Sequence, residues 1–159
     1  MSDFMYDDII DSRDIISYID EMEEDIADIE EAIHEMEEEI MELRDDEYME
    51  DDELADKIYD LEQKIEDAKN EIDAIESELN PVREFAEKAK AYSSDWEYGT
   101  QIINDDYFVE HAQQLADDMG LGNMDMWPFD HIDWESAADA LKMDYTAVEF
   151  NDKTYWVRD

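Results

Sequence analysis

The chain has 159 residues, of which 52 are Asp or Glu and 11 are Lys or Arg, so its formal net charge is −41. This charge excludes direct binding to nucleic acid or to an anionic membrane surface, because both require a cationic protein surface. The absence of cysteine excludes disulfides, thiolate catalysis and cysteine-ligated zinc. We expect no membrane-spanning segment and no signal peptide, because no apolar run is long enough and the first residues lack a basic start.

The composition changes at Asn80–Pro81. All three glycines, both prolines and all four tryptophans lie beyond residue 80, whereas residues 1–80 contain no strong helix breaker. Apolar residues make up 43% of the chain and recur with a regular period, so we expect a folded protein. The predicted fold is mainly α, with an acidic coiled-coil helical hairpin over residues 1–80 and a small α+β domain over residues 81–159.

Two runs of apolar residues with alternating spacings of four and three dominate the first half. The first run is Ile15, Ile19, Met22, Ile26, Ile29, Ile33, Met36, Ile40 and Leu43, and the second is Leu54, Ile58, Leu61, Ile65, Ala68, Ile72, Ile75 and Leu79. This spacing places each run on one stripe of a helix, at the a and d positions of a coiled coil. The two runs are out of phase, so either one long helix contains a stutter or the chain reverses between them.

An antiparallel hairpin brings the two stripes together in eight layers. In this register Ile40 lies opposite Leu54, and Lys69 of the second helix lies near Glu23 of the first. The pairing of charges beside the seam favours the hairpin. A continuous helix remains the alternative, because the connecting residues 44–53 contain no Gly, Asn or Pro to form a turn.

The second half predicts three helices followed by a β-hairpin. The predictions are a helix from Pro81 to residue 92, a helix capped by Asn104 and ended by Gly120, a helix capped by Asp133, and two strands joined by a turn at Asn151–Asp152. We therefore expect a short α+β unit after the hairpin.

The outward positions of the first helix are almost uniformly acidic. They carry Asp20, Glu21, Glu24, Asp28, Glu31, Glu35, Glu38, Glu42 and Asp45. Like charges one turn apart repel by a few tenths of a kcal/mol each, and a mixed surface would be as soluble. Residues 11–80 hold 31 acids and 5 bases, so their net charge is −26. Such a hairpin is roughly 40 Å long, and B-DNA carries about 24 negative charges over the same length. The pattern indicates mimicry of duplex DNA; the alternative is an acidic spacer or dimerisation rod.

Residues suited to catalysis are scarce. The three histidines, His34, His111 and His131, are scattered along the chain. Residues 130–135 (DHIDWE) could form a metal cluster, but the pattern is also that of a helix N-terminus with acids in its first turn. The sequence contains no glycine-rich phosphate loop and no Ca²⁺-binding loop. We predict a protein that is not an enzyme and has neither a cofactor nor a metal site.

The last third resembles the C-terminal domain of ArdA-type antirestriction proteins. The resemblance covers about 55 residues, over the segments DDYFVEHAQQLADDMG and HIDWESAADALKMDYTAVEFNDKTYWVR. The matching residues are Phe108, Ala112, Leu115, Asp118, Gly120, Asp133, Trp134, Glu135, Ala137, Ala138, Leu141, Asp144 and Tyr145. Residues 1–80 differ from the N-terminal and central domains of that family.

The resemblance implies a function. ArdA-type proteins are acidic DNA mimics from mobile elements and phages, which occupy the DNA-binding groove of type I restriction–modification enzymes, usually as dimers. If this chain uses the same kind of surface, the exposed acids of the domain are the candidates for contact: Asp105, Asp106, Asp117, Asp118, Asp139 and Asp144.

Charge and resemblance together predict a phage-encoded inhibitor that acts in the bacterial cytoplasm. It would occupy the basic DNA channel of a restriction–modification enzyme or a CRISPR effector, without itself binding nucleic acid or membrane, and a homodimer is an open alternative to a monomer. Two other functions remain: an acidic coiled-coil scaffold or adaptor, and an acidic chaperone for a basic nucleic-acid-binding protein.

Overall fold

The structure is a computed structural model that describes residues 3–45, 51–121 and 126–158. It divides into two compact units. The helical unit is Ile19–Asn80, and the sheet unit combines Met1–Tyr18 with Pro81–Asp159. The sequence places all of residues 1–80 in one domain; the structure instead packs residues 3–18 with the C-terminal part, because their strand joins the sheet there.

Two long helices run through the chain. Helix α1 is Ser12–Arg44 and helix α2 is Asp51–Lys90. Asp45 ends α1 in a turn, with its N–H donating to the carbonyl of Glu42, so the helices are separate and the continuous-helix alternative is wrong. The connecting residues 46–50 lie outside the described residues. Neither helix, nor any other in the described ranges, is long and apolar enough to span a membrane.

The seam of the helical unit is the predicted apolar stripe. Its buried centre contains two residues of each helix, Ile33 and Ile40 from α1 and Leu61 and Ile65 from α2. Around this centre pack the partly buried residues Ile29, Met36, Leu43, Ile58, Ala68 and Ile72. The mainly α fold with a long helix pair and a small α+β part is therefore confirmed.

The register of the seam differs from the predicted one. Arg44 Nη2 lies 3.4 Å from Glu62 Oε1. In the predicted register, with Ile40 opposite Leu54, these two residues would be roughly 18 Å apart along the helix axis. The membership of the seam fits a shift of one heptad, with Ile40 opposite Leu61. Each apolar run fills every a and d position, so sliding the helices by seven residues exchanges one apolar partner for another.

The shift also changes the charges beside the seam. Lys69 lines a cavity of about 460 Å³ together with Glu37 and Arg44, and not with Glu23 as the predicted register required. Lys69 therefore lies near an acid closer to the C-terminal end of α1 than expected.

The sequence predicted that a new helix starts at Pro81. In the structure, α2 instead continues through Pro81 and ends at Lys90. Proline lacks an N–H and so removes one backbone hydrogen bond from the helix. The residues that follow compensate by packing: Val82, Phe85 and Ala89 are buried, and the ring of Phe85 contacts the ring of Tyr155 at 5.5 Å.

The sheet unit contains four antiparallel strands in the order β1-β2-β4-β3. They are β1 Ile9–Asp11, β2 Gln101–Asn104, β3 Thr146–Phe150 and β4 Lys153–Val157. The predicted β3–β4 hairpin is confirmed, and its turn residues Asn151 and Asp152 have φ angles of 47° and 61°. The sequence did not predict β1 and β2, which pair with Ile10 opposite Ile102.

Three helices complete the sheet unit: α3 Trp96–Gly99, α4 Phe108–Asp118 and α5 Trp134–Lys142. The predicted caps are present. The side chain of Asn104 accepts from the N–H of Asp106 in the 3-10 turn before α4, and that of Asp133 accepts from the N–H of Ser136 at 3.1 Å. Gly120, with φ of 69°, follows the end of α4 as predicted.

Buried hydrogen bonds hold the N-terminal segment in this unit. The hydroxyl of Ser12 donates to the carbonyl of Trp96 at 2.6 Å and accepts from the N–H of Thr100 at 2.7 Å. The hydroxyl of Tyr155 donates to the carbonyl of Met5 at 2.8 Å. These contacts satisfy buried polar groups and explain why the first residues do not belong with the hairpin.

Candidate functional site

A continuous row of acids lies on the outward side of α1. From residue 21 onward it occupies every c and f position, with alternating spacings of three and four residues, and we call it the acidic stripe: Glu21, Glu24, Asp28, Glu31, Glu35, Glu38, Glu42 and Asp45. All eight side chains are exposed, as is that of the neighbouring Asp20. From Glu21 to Glu42 the row extends about 32 Å, with one carboxylate every 5 Å or so. The structure thus brings all nine acids predicted for α1 onto its solvent side.

The outward side of α2 is different. Its c and f positions over residues 53–77 are Glu53, Asp56, Asp60, Gln63, Asp67, Asn70, Ala74 and Ser77, so neutral residues interrupt the acids. All of these side chains are exposed. The outward acids therefore form a continuous row on α1 and an interrupted one on α2.

Two cations of the helical unit pair with acids outside the stripe. Arg44 pairs with Glu62, and Lys57 pairs with Glu53 at 3.4 Å on its own helix. Within the stripe, Glu38 lies 3.5 Å from the imidazole of His34 one turn away. This distribution leaves the stripe with a strong negative potential.

The acids predicted in the sheet unit separate into two groups. Five of them are exposed: Asp106, Asp117, Asp118, Asp139 and Asp144. Asp105 is half-buried, and its Oδ1 accepts from the ammonium of Lys142 and from the indole N–H of Trp156, the latter at 2.7 Å. The hydrogen bond from Lys142 holds the pKa of Asp105 below its usual range, with a smaller contribution from Trp156 and an opposing effect of burial. Asp105 is therefore bound within its own unit, unlike the other predicted contact acids.

Lys142 is the centre of a cluster that the sequence did not reveal. Its Nζ lies 5.2 Å from the ring centre of Phe108 and 5.1 Å from that of Trp156, and its side chain is largely buried. Phe108 also contacts the ring of Tyr145 at 5.1 Å. The aromatic residues of the ArdA-like segments were visible in the sequence, but only the antiparallel packing of α4 on α5 shows that they surround one lysine.

Histidine 111 lies at the edge of the same cluster. Its Nε2 is 3.3 Å from the hydroxyl of Tyr145, and burial lowers the pKa of the imidazole. A neutral imidazole at pH 7 fits an aromatic environment, since a charged ring there would be partly desolvated. His111 therefore forms part of the contact between α4 and Tyr145.

The segment at residues 130–135 forms a helix N-terminus. Asp133 accepts from both the N–H and the hydroxyl of Ser136, and the backbone hydrogen bond is the main reason why its pKa is lowered. His131 and Asp130 approach each other only to 3.9 Å. Across residues 3–45, 51–121 and 126–158 no group of three or more His, Asp or Glu side chains is placed to hold a metal ion.

Comparison with protein families, with characterised proteins and with solved structures finds no match to this chain. The resemblance of residues 105–158 to ArdA-type proteins stays a prediction. Several of its matching residues have structural roles here: Phe108 and Ala138 are buried in the same core, and Leu141 packs against it.

Proposed function

We propose that this protein inhibits a bacterial defence complex by mimicking duplex DNA. The helical unit would enter the basic DNA-binding channel of a restriction–modification enzyme or a CRISPR effector, with the acidic stripe facing the lysine and arginine residues that normally bind phosphates. The observation that carries the proposal is the uninterrupted stripe of exposed acids on α1.

The charge of the helical unit supports this proposal quantitatively. Residues 19–80 contain 29 acids and 4 bases, which gives a net charge of −25. The arm of α1 in this unit is about 40 Å long, and B-DNA carries about 24 phosphate charges over that length. A channel that accommodates a DNA segment of this length would meet a comparable total charge.

The mechanism is competition through counterion release. DNA binding by a basic channel gains free energy because small ions leave the phosphates and the lysine and arginine side chains. Closely spaced carboxylates also concentrate cations, so their release on binding would supply the same kind of driving force. Inhibition should therefore weaken as the salt concentration rises, in parallel with DNA binding by the target.

The coiled-coil scaffold has less support. In that alternative the apolar seam joins two or more copies, which requires an unfilled apolar stripe. The seam residues Ile33, Ile40, Leu61 and Ile65 are instead buried against each other within one chain, each less than one-tenth exposed.

The test is displacement of DNA from purified defence complexes. A fluorescent duplex would be bound to a type I restriction enzyme and, separately, to a CRISPR effector, and its release would be followed by anisotropy as the protein is added. Parent protein should displace the duplex. Replacing Glu24, Glu31, Glu35 and Glu42 by glutamine should raise the concentration needed by at least tenfold.

The matched control removes the same number of charges from α2. Changing Asp56, Asp60, Asp67 and Asp73 to asparagine neutralises four exposed acids outside the stripe and should alter displacement less than threefold. Circular dichroism would check that both variants keep the helix content of the parent. If the two variants weaken displacement equally, total charge matters and the stripe does not; if the parent displaces no DNA from either complex, the proposed function is wrong for these targets.

A further inference from the structure

The connection between α4 and α5 exposes an unusual concentration of large apolar side chains. Met119, Leu121, Met126, Trp127 and Ile132 are 66%, 52%, 61%, 78% and 38% exposed. Single exposed apolar residues are common on folded proteins, whereas a contiguous group of them is typical of an interaction surface. These five lie within fourteen residues of one connection. We call these five residues the α4–α5 apolar surface.

The five residues belong to the same end of the helix pair. Phe108 near the start of α4 contacts Tyr145 just beyond α5, so the two helices are antiparallel. The end of α4 and the start of α5 therefore lie together at the opposite end, and the apolar surface belongs to the chain that joins them.

Backbone hydrogen bonds fix the two described parts of this connection, residues 119–121 and 126–132. The N–H of Leu121 donates to the carbonyl of Ala116, and that of Gly120 donates to the carbonyl of Asp117, the pattern of a Schellman motif. In this motif the residue at the position of Leu121 commonly makes an apolar contact with the last turn of the helix. Here Leu121 is instead 52% exposed. Beyond it, the N–H of Phe129 donates to the carbonyl of Met126 at 2.7 Å, which forms a turn around Trp127.

The charges around the surface determine which partner fits. Asp117, Asp118 and Asp130 are exposed and lie within two residues of these side chains in sequence, and the sequence has no Lys or Arg between Lys90 and Lys142. The acids would repel an anionic membrane, a nucleic acid and a second copy of the same surface. They would attract a segment that carries lysine or arginine next to apolar side chains.

We propose that the α4–α5 apolar surface binds a basic amphipathic helix of a partner protein. Trp127 supplies a large aromatic anchor, the unbranched methionine side chains adapt to the apolar side of the helix, and the surrounding acids pair with its cations. This inference concerns the sheet unit and does not depend on DNA mimicry by the helical unit.

The test uses two synthetic peptides with equal numbers of lysines, at physiological salt. In the first, leucines repeat at helical spacing; in the second, glutamine replaces every leucine. Calorimetric titration of the full-length protein should give at least tenfold tighter binding of the leucine peptide. Cationic attraction to the acidic stripe affects both peptides and so cancels in this ratio.

Two variants locate the binding. Changing Met126 and Trp127 to serine should reduce the preference for the leucine peptide to less than twofold. Met143→Ser is the matched control, because Met143 is 84% exposed but lies at the other end of the helix pair, and it should keep the parent preference. Circular dichroism would check the folding of each variant.

Three results would overturn the inference. The first is equal binding of the two peptides, or a preference that survives the double substitution. The second is a shift of tryptophan emission on neutral phosphatidylcholine vesicles that the double substitution abolishes, which would identify a membrane as the occupant. The third is a dimer in sedimentation experiments that dissociates when Met126 and Trp127 are changed, which would identify a second copy.

Discussion

Replacing Lys142 by methionine removes the ammonium group and keeps most of the apolar stem. We expect this change to lower the free energy of unfolding of the sheet unit by about 2 kcal/mol at pH 7. A hydrogen bond to a charged group contributes about 1.5–3 kcal/mol, and each cation–π contact with Phe108 and Trp156 adds about 0.5–1 kcal/mol. The sum is reduced because the Asp105 side chain is 43% exposed, so solvent screens the ion pair, and because methionine packs well against aromatic rings.

The penalty should depend on pH with a definite sign. The pKa of Asp105 is lowered in the folded protein, mainly by the hydrogen bond from Lys142. This interaction therefore stabilises the fold above the unfolded-state pKa of about 4 and is lost as the pH falls through the lower folded-state value. The cost of Lys142→Met should be full at pH 7 and should shrink at pH 3.

Urea denaturation followed by tryptophan fluorescence would measure both values. Lys88→Met is the control, because Lys88 forms an exposed pair with Glu84 at 3.9 Å and should cost less than about 0.5 kcal/mol. A penalty for Lys142→Met no larger than that of the control, or one that is the same at pH 3 and pH 7, would refute the role assigned to the cluster.

Three further substitutions test the packing and the backbone. Ile40→Ala should cost about 2–5 kcal/mol in the helical unit, measured as an earlier loss of helical circular dichroism on heating, and a loss below 1 kcal/mol would contradict the observed seam. Gly99→Ala should destabilise the sheet unit more than Gly120→Ala in urea denaturation: a Cβ at Gly99, where φ is 111°, would lie 2.8 Å from Arg13 Nε, whereas Gly120 has open space. Asp152→Gly should raise the melting temperature, since Asp152 has a φ of 61° in a two-residue hairpin turn; an unchanged or lower value would mean that the turn is not strained.

The sequence predicted the helices well because their signal is local. The alternating four-three spacing of the runs ending at Leu43 and Leu79 indicates a stripe whatever the rest of the chain does. The register could not be obtained in the same way. A slide of one heptad leaves apolar residues opposite each other, so the choice depends on the connecting residues and on pairs such as Arg44 with Glu62.

The missed elements are those that depend on distant partners. Strands β1 and β2 have three and four residues, too few to show an alternating pattern, and they form because Ile10 and Ile102 meet in one sheet. The different role of Asp105 has the same origin. Its side chain looks like any other acid in the sequence until α5 brings Lys142 beside it.

The order of the units along the chain has a consequence for how the protein forms and how its arm can vary. Strands β1 and β2 lie on either side of the helical unit in sequence, so that unit is an insertion into the sheet unit. A hairpin stabilised by neighbouring contacts can fold early and shorten the loop that β1 and β2 must close. The same connectivity allows a heptad to be added to or removed from both helices while the segments before Ile19 and after Asn80 stay unchanged. The length of the charged arm can thus change in steps of about 10 Å without rebuilding the domain that carries it.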